Sequence, residues 1–314
     1  MERLSIGIDI GGTNLRLALI DSRGNILRRN RTDSAIAEGR AAFCDRLVAC
    51  IDDLRSAAGS SNTAVVGIGA GVPGLIGRDG LVHSSVNMRA LDGFNLAAFL
   101  EERTGVPSVC GNDANLIALG EQAFGAGRQF SSCLVITIGT GLGSGLILDG
   151  RLWTGSGGFA AEFGHVTVEP EGIPCSCGNR GCLEQYVSAG ALVRFARELL
   201  PDELLAGREG ILDARMVADL ARQGEGGAAA AFERMGHWLG IALASLINTL
   251  NPEAVIIGGG VAASFDLLLP SLAVEIGQRC FPQIASGCAI VKTELGDDAG
   301  LLGGAALALA KVTG

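Results

Sequence analysis

His165, Cys175, Cys177 and Cys182 are the residues of this 314-residue chain whose types and spacing specify chemistry most directly. Three sulfurs and one imidazole make the soft donor set of a tetrahedral Zn2+ site. Four protein ligands leave no open position, so such a metal holds a loop rather than reacting. One residue separates Cys175 from Cys177, and Gly178 and Gly181 precede Cys182, which lets the backbone aim three sulfurs at one point. The alternative is that these cysteines are small buried hydrophobes or disulfide partners. Glu162 and Glu184 bracket the cluster as two carboxylates able to accept hydrogen bonds from a polyhydroxylated ligand. The remaining cysteines, Cys44, Cys50, Cys110, Cys133, Cys280 and Cys288, lie in apolar surroundings without ligand spacing and read as reduced core residues.

Glycine-bearing turns form a second group. Residues 9–14, Asp-Ile-Gly-Gly-Thr-Asn, fall between two strands. There Gly11 and Gly12 let backbone N–H groups face outward, the Thr13 hydroxyl adds a donor and Asn14 ends the turn, a nest that suits phosphate oxygens. Asp9 would repel phosphate directly and reads instead as a holder of Mg2+ or its water shell. Gly139, Thr140, Gly141 and Gly143 occupy the equivalent turn of a second set of strands, and the two loops together would straddle a polyphosphate. Gly259 and Gly260 sit between a buried strand and a helix, leaving room for an adenosine. A tight hairpin alone needs the same residues, so it is the repetition that argues for a nucleotide. Neither GxxxxGK[ST] nor a GxGxxG opening a first βα turn is present at these loops, which disfavours a P-loop enzyme and a Rossmann dehydrogenase.

Asp113 follows a buried strand and opens a helix, at the C-terminal sheet edge where α/β proteins place ligands. A carboxylate there can take the proton of an alcohol during phosphoryl transfer. A helix N-cap at Asn112 or Asp113 explains the same residues, and on them alone explains them better.

The elements that must position these groups are read from periodicity. Residues 4–10, 15–21 and 25–30 read as an antiparallel meander, 38–58 as a helix, 64–70 as a buried strand, 96–103 as a helix, 108–111 as a strand and 114–124 as a helix. The order restarts with strands at 133–139, 145–149 and 166–169. Next come helices at 189–199, 214–222 and 228–250, a strand at 254–257, a helix at 262–276, a strand at 289–292 and a last helix at 299–312. This alternation argues a two-domain α/β architecture with helices on the sheet faces and a cleft. The expected division is residues 1–112, joined by the C-terminal helix 299–314, and 113–298, the latter carrying the zinc loop 165–184.

A 48% hydrophobic and 18% charged composition excludes a disordered chain, and a net charge of −9 argues against a nucleic-acid or anionic-membrane binder. Gly, Asp or Arg interrupts each apolar run, so no membrane span is expected. Nine cysteines, an odd number, with no secretory signal before Ile6, point to the cytoplasm. The 48 glycines have no strict period and signal tight turns and close backbone approaches.

On residues 9–14, 112–113, 139–145, 162–165 and 175–184, the chain resembles the ROK family of sugar kinases and related repressors, within the hexokinase, actin and Hsp70 ATPase-like superfamily. The resemblance covers nearly the whole chain. It implies an actin-like, hexokinase-like fold with a duplicated ribonuclease H-like motif, an interdomain cleft, and an ATP- and Mg2+-dependent kinase for the 6-hydroxyl of a hexose. Asp113 is then the base. Asn112, Glu162, His165 and Glu184 bind the other hydroxyls, Gly74 and Asn87 also contact sugar, and His165 serves both zinc and sugar. Glucose is the expected hexose, a glucokinase of glycolysis the expected activity, and a homodimer the expected assembly. N-acetylmannosamine or N-acetylglucosamine kinase and a non-catalytic sugar-binding sensor are the alternatives.

Asn14 stands where many members carry Lys, with Arg16 two residues on as a possible replacement for the lost cation. Residues 87–94 lack the Trp of many glucose-phosphorylating members. Family repressors carry a winged helix before the first strand, whereas three residues precede Leu4 here, so DNA binding is not expected.

Overall fold

The computed structural model describes residues 3–58, 64–85, 87–206 and 211–313. Two compact units emerge, one of residues 1–131, 145–161 and 293–314, the other of residues 132–144 and 162–292.

In the first unit, β1 (Arg3–Ile10), β2 (Asn14–Asp21) and β3 (Ile26–Asp33) form the expected meander. After α1 (Arg40–Ala58) the chain returns through β4 (Ala64–Val72), parallel to β1. A small sheet of β5 (Leu75–Ile76), β6 (Leu81–Ser84) and β7 (Phe94–Asn95) precedes α2 (Leu96–Thr104). Then come β8 (Ser108–Asn112), parallel to β4, and α3 (Asp113–Phe124). The main sheet has the order β3-β2-β1-β4-β8. One face is covered by α1, whose Phe43, Leu47, Ile51 and Leu54 are fully buried at helical spacing among Ile6, Ile8, Leu17 and Ile68.

The other face is covered by the last helix, α10 (Ala299–Thr313), which also packs on α3. Here backbone meets backbone. A Cβ on Gly7 would overlap the Leu301 carbonyl oxygen, and one on Gly303 would overlap that of Leu116. Only glycine permits that approach. The expected boundary after residue 112 is therefore displaced to 131, because α3 packs against α10 and the first sheet and so is part of the first unit.

The second sheet repeats the order of the first, β11-β10-β9-β12-β13. Its strands are β9 (Cys133–Ile138), β10 (Leu142–Leu148), β11 (Arg151–Leu152), β12 (Ala254–Gly258) and β13 (Ala289–Lys292). Both parallel pairings of β12, with β9 and with β13, lie in the second unit. The strand expected at 166–169 is corrected: the third strand is β11, and residues 166–169 contribute only an isolated bridge, Thr167 to Cys182. That backbone is occupied by the turns of the cysteine loop.

The helices of the second unit are α4 (Ala189–Leu199), α5 (Asp202–Leu205), α6 (Ala214–Arg222), α7 (Gly226–Leu250), α8 (Phe265–Arg279) and α9 (Pro282–Gly287). The long α7 packs against α4, α6 and α8, burying Phe195, Phe232, Met235, Leu239 and Leu272. Residues Gly260–Arg279 alone among the described helices are long and apolar enough, by length and composition, to cross a membrane. They are a 3-10 turn (Gly260–Ser264) and then α8, which lies along α7 and whose Asp266 pairs with Arg222.

Candidate functional site

The turn between β1 and β2 is held by its own backbone. Gly11 N–H donates to Asn14 O at 2.8 Å, Ser34 N–H to Thr13 O at 3.0 Å, and the Ser34 hydroxyl to Gly12 O at 3.0 Å. A cavity of about 410 Å³ in the first unit gathers Asp9, Gly11, Gly12, Thr13, Asn14, Pro73, Asn87 and Asp113. Arg16 lines it too, with two further charged residues that sequence reasoning had not assigned to it, Arg31 and Asp297. Arg16 forms an ion pair with Asp9 and donates to the Asp297 carbonyl at 3.2 Å. It is therefore occupied in neutralising Asp9 and bracing the loop before α10, which answers the idea that it replaces a lysine at position 14.

Asp113 is the first residue of α3, and its Oδ1 accepts from Ala114 N–H at 2.9 Å. The cap falls to Asn112: its Oδ1 accepts from Asn115 N–H at 3.1 Å, while Nδ2 donates to Gly74 O at 3.0 Å. Gly74 has φ of 130°, and a Cβ there would overlap the Ser84 carbonyl oxygen. One asparagine thus ties β8, the start of α3 and the Pro73-Gly74 turn together. Asn87 is exposed, and its carbonyl lies beside Gly12.

In the second unit, the ligand atoms of His165, Cys175, Cys177 and Cys182 all lie within 4.8 Å of one another. Cys177 Sγ is 3.6 Å from Cys182 Sγ, and Cys175 Sγ is 3.8 Å from His165 Nδ1. Tetrahedral zinc with Zn–S bonds near 2.3 Å needs sulfur to sulfur edges of about 3.8 Å, so these residues fit the ion. The disulfide alternative is not realised, since all nine cysteines are free. Burial acts to raise the Cys175 thiol, but hydrogen bonds from the Cys177 backbone, the Cys177 and Cys182 thiols and His165 bring it down to about 7. Burial, with its two sulfur neighbours, pushes Cys182 up to about 12. Cys175 is thus favoured as a thiolate while Cys182 is held as a thiol, the split expected of close sulfurs that a cation would neutralise. By contrast, burial pushes the core thiols Cys110 and Cys133 up to about 12, as inert cysteines require.

Amide donors surround the sulfurs. Asn179 Nδ2 lies 3.5 Å from Cys182 Sγ, and Gln185 Nε2 lies 3.6 Å from Cys175 Sγ. The turn depends on Gly181, with φ of 66°, where a Cβ would overlap the Glu169 carbonyl oxygen. The opposite face of the His165 ring points elsewhere: Nε2 is 3.9 Å from Glu162 Oε2. Desolvation raises the Glu162 carboxyl above its ordinary value, His165 opposes this and Glu184 adds to it. Glu184 in turn accepts from Leu142 N–H at 2.9 Å, so this carboxylate holds the second glycine turn, and a Cβ on Gly141 would overlap it. Gly139 N–H is taken by Gly141 O at 2.9 Å, while Thr140 is exposed and Gly143 half-buried. Gly259, with φ of 86°, is required by close approach to Ile138, whereas Gly260 faces open space.

Comparison with known proteins is consistent along the whole chain. Residues 5–311 match the ROK family. A glucokinase of Halalkalibacterium halodurans is 36% identical over 311 residues, covering 96% of this chain and 94% of the relative. A xylose repressor of Bacillus spizizenii is 33% identical, covering 95% of this chain and 75% of the repressor. The crystal structure of a ROK family glucokinase from Streptomyces griseus, in complex with glucose and AMPPNP, is 33% identical with a TM-score of 0.81, covering 98% of this chain and 99% of that one. The repeated strand order and this likeness give the chain the actin-like, hexokinase-like ATPase fold. With full-length matches in sequence and in structure, this chain belongs to the ROK family.

Proposed function

We propose that this chain is an ATP-dependent hexose kinase, a glucokinase that phosphorylates the 6-hydroxyl of glucose. Full-length likeness to glucokinases and to a structure holding glucose and AMPPNP supports the reaction. The observation that carries the assignment of residues is the cavity that Asp113 shares with Asp9, Gly11, Gly12, Thr13 and Asn14. A carboxylate that shares a cavity with a glycine turn and with the guanidinium groups of Arg16 and Arg31 offers a base and cations together, the parts that transfer of a phosphoryl group to an alcohol uses.

Asp113 takes the proton of the 6-hydroxyl as the oxygen attacks the γ-phosphorus, whose bond to the β–γ bridging oxygen breaks so that this oxygen leaves with ADP. Because Asn112 caps α3 and grips Gly74, the base starts from a fixed backbone position rather than a mobile loop. Asn112, Asn87 and Gly74 in the first unit, and Glu162, His165 and Glu184 in the second, are assigned to the sugar hydroxyls. The turns at Gly11, Gly12, Thr13 and Asn14 and at Gly139, Thr140, Gly141 and Gly143 are assigned to the phosphates, and Gly259 and Gly260 to the adenosine. Mg2+ bound with the nucleotide would offset phosphate charge, with Asp9 and its water shell as the holding group. Zn2+ on His165 Nδ1, Cys175, Cys177 and Cys182 would fix the imidazole so that Nε2 faces the sugar beside Glu162. The free cysteines accord with a reducing cytoplasm, and glycolysis is the place we assign to the reaction. A homodimer is the assembly we assign.

A coupled assay of ADP release over a panel of glucose, mannose, N-acetylglucosamine and N-acetylmannosamine tests the reading. The expected result is highest kcat/KM for glucose. Preference for an N-acetylhexosamine would transfer the chain to that branch of sugar kinases, and sugar binding without ADP release would make it a sensor.

A further inference from the structure

We infer that Arg31 supplies the cation that contacts the nucleotide's terminal phosphates in this chain, at the mouth of the first glycine turn where Asn14 carries no charge. The inference rests on the kinase reading and deepens it. Arg31 lies on β3, directly opposite Arg16 in the antiparallel register with β2. Two arginines side by side repel unless each charge has a use or a partner. Arg16 has both in Asp9 and the Asp297 carbonyl. Among the described residues Arg31 forms no ion pair. Its Nη2 donates only a long hydrogen bond, 3.4 Å, to Asn14 Oδ1, and the residue lines the cavity of the first glycine turn. Position 14 and position 31 are therefore neighbours at the mouth of one cavity.

The charge balance of that cavity gives the arginine its role. Asp9, Asp113 and Asp297 line it with Arg16 and Arg31, and Asp9 is already offset by Arg16. A polyphosphate entering a cavity that three aspartates line needs cations to meet it there. Asn14 carries no charge; Arg31 brings a guanidinium beside it, with a fork suited to two phosphate oxygens. Asn14, as the acceptor in that bond, orients the guanidinium instead of competing with it.

The test compares Arg31→Ala, Arg31→Lys and Arg31→Ala combined with Asn14→Lys, each against wild type, in steady-state assays varying ATP and glucose separately. Arg31→Ala is expected to lower kcat/KM for ATP about tenfold to a hundredfold, the loss of one charge-assisted contact, with KM for glucose within about twofold of wild type. Arg31→Lys is expected to recover part of the loss. Asn14→Lys in the Arg31→Ala background is expected to recover most of it, because the charge returns to the same place from the neighbouring strand. A merely structural arginine would not be rescued by a lysine at another position. Unchanged kinetics in Arg31→Ala, or no recovery from Asn14→Lys, overturns the inference. Titration of each purified variant with AMPPNP and Mg2+ keeps the two readings apart. A wild type that binds AMPPNP but phosphorylates no sugar defeats the kinase reading, while weaker AMPPNP binding in Arg31→Ala, restored by Asn14→Lys, still upholds the arginine.

Discussion

The first glycine turn and the cysteine loop reach a defined geometry by opposite means. The turn at residues 9–14 hangs between two central strands, buried through Ile8, Ile10, Leu15 and Leu17, and those strands are pressed by α10 so closely that glycines are obligatory. Its shape is a product of packing and backbone hydrogen bonds. The cysteine loop has almost no regular structure, only the isolated bridges Thr167 to Cys182 and Pro174 to Arg180. Its turns are closed by backbone hydrogen bonds, Cys175 N–H to Asn179 O at 2.8 Å and Gly181 N–H to Ile173 O at 2.9 Å among them, and they bring four candidate ligands to one point. A site built on packed elements holds itself in readiness, whereas a metal held by the loop would add order that packing does not supply.

The sharpest way to break this contrast is to disturb the packing that holds the first turn. Gly7→Ala, which forces a methyl against the Leu301 carbonyl, is expected to destabilise the protein by about 3 kcal/mol and to lower Tm by about 5 °C or more in a thermal melt. Gly139→Ala serves as the control: nothing lies within 4 Å of a Cβ there, so a shift within about 0.5 kcal/mol is expected. Equal losses for both would remove the packing side of the comparison.

Removing one sulfur probes the other side. Cys177→Ser is expected to lose zinc, read by elemental analysis, and to raise KM for glucose about tenfold to a hundredfold while the far-UV circular dichroism stays that of wild type. Stoichiometric zinc in the variant, or unchanged kinetics in a zinc-free protein, would separate the metal from the sugar wall.

Legibility in the sequence divides along the same line. The strands β1, β2, β4 and β9 and the helix α1 declare themselves through buried apolar periodicity, and the candidate metal ligands through residue type. Residues 166–169 look like a strand because Val166 and Val168 alternate with Thr167 and Glu169, yet turns of the cysteine loop claim that backbone. The sheet of β5, β6 and β7 escapes periodicity because its strands are two to four residues long. The placement of α3 with the first unit depends on glycine contacts between segments far apart in sequence. Arg31 beside Asn14, and Leu142 N–H bonded to Glu184, are consequences of strand register and loop closure that residue types alone do not encode.

The central claim is that the Asp113 carboxylate removes the proton from the sugar hydroxyl, and Asp113→Asn tests it most directly. The asparagine keeps an oxygen to accept from Ala114 N–H, so the start of α3 is preserved while the base is lost. The expected result is a fall in kcat for glucose phosphorylation of about 10²- to 10⁴-fold, with glucose affinity, measured by calorimetry, within about threefold of wild type. A variant that turns over glucose at near-normal rate would contradict it.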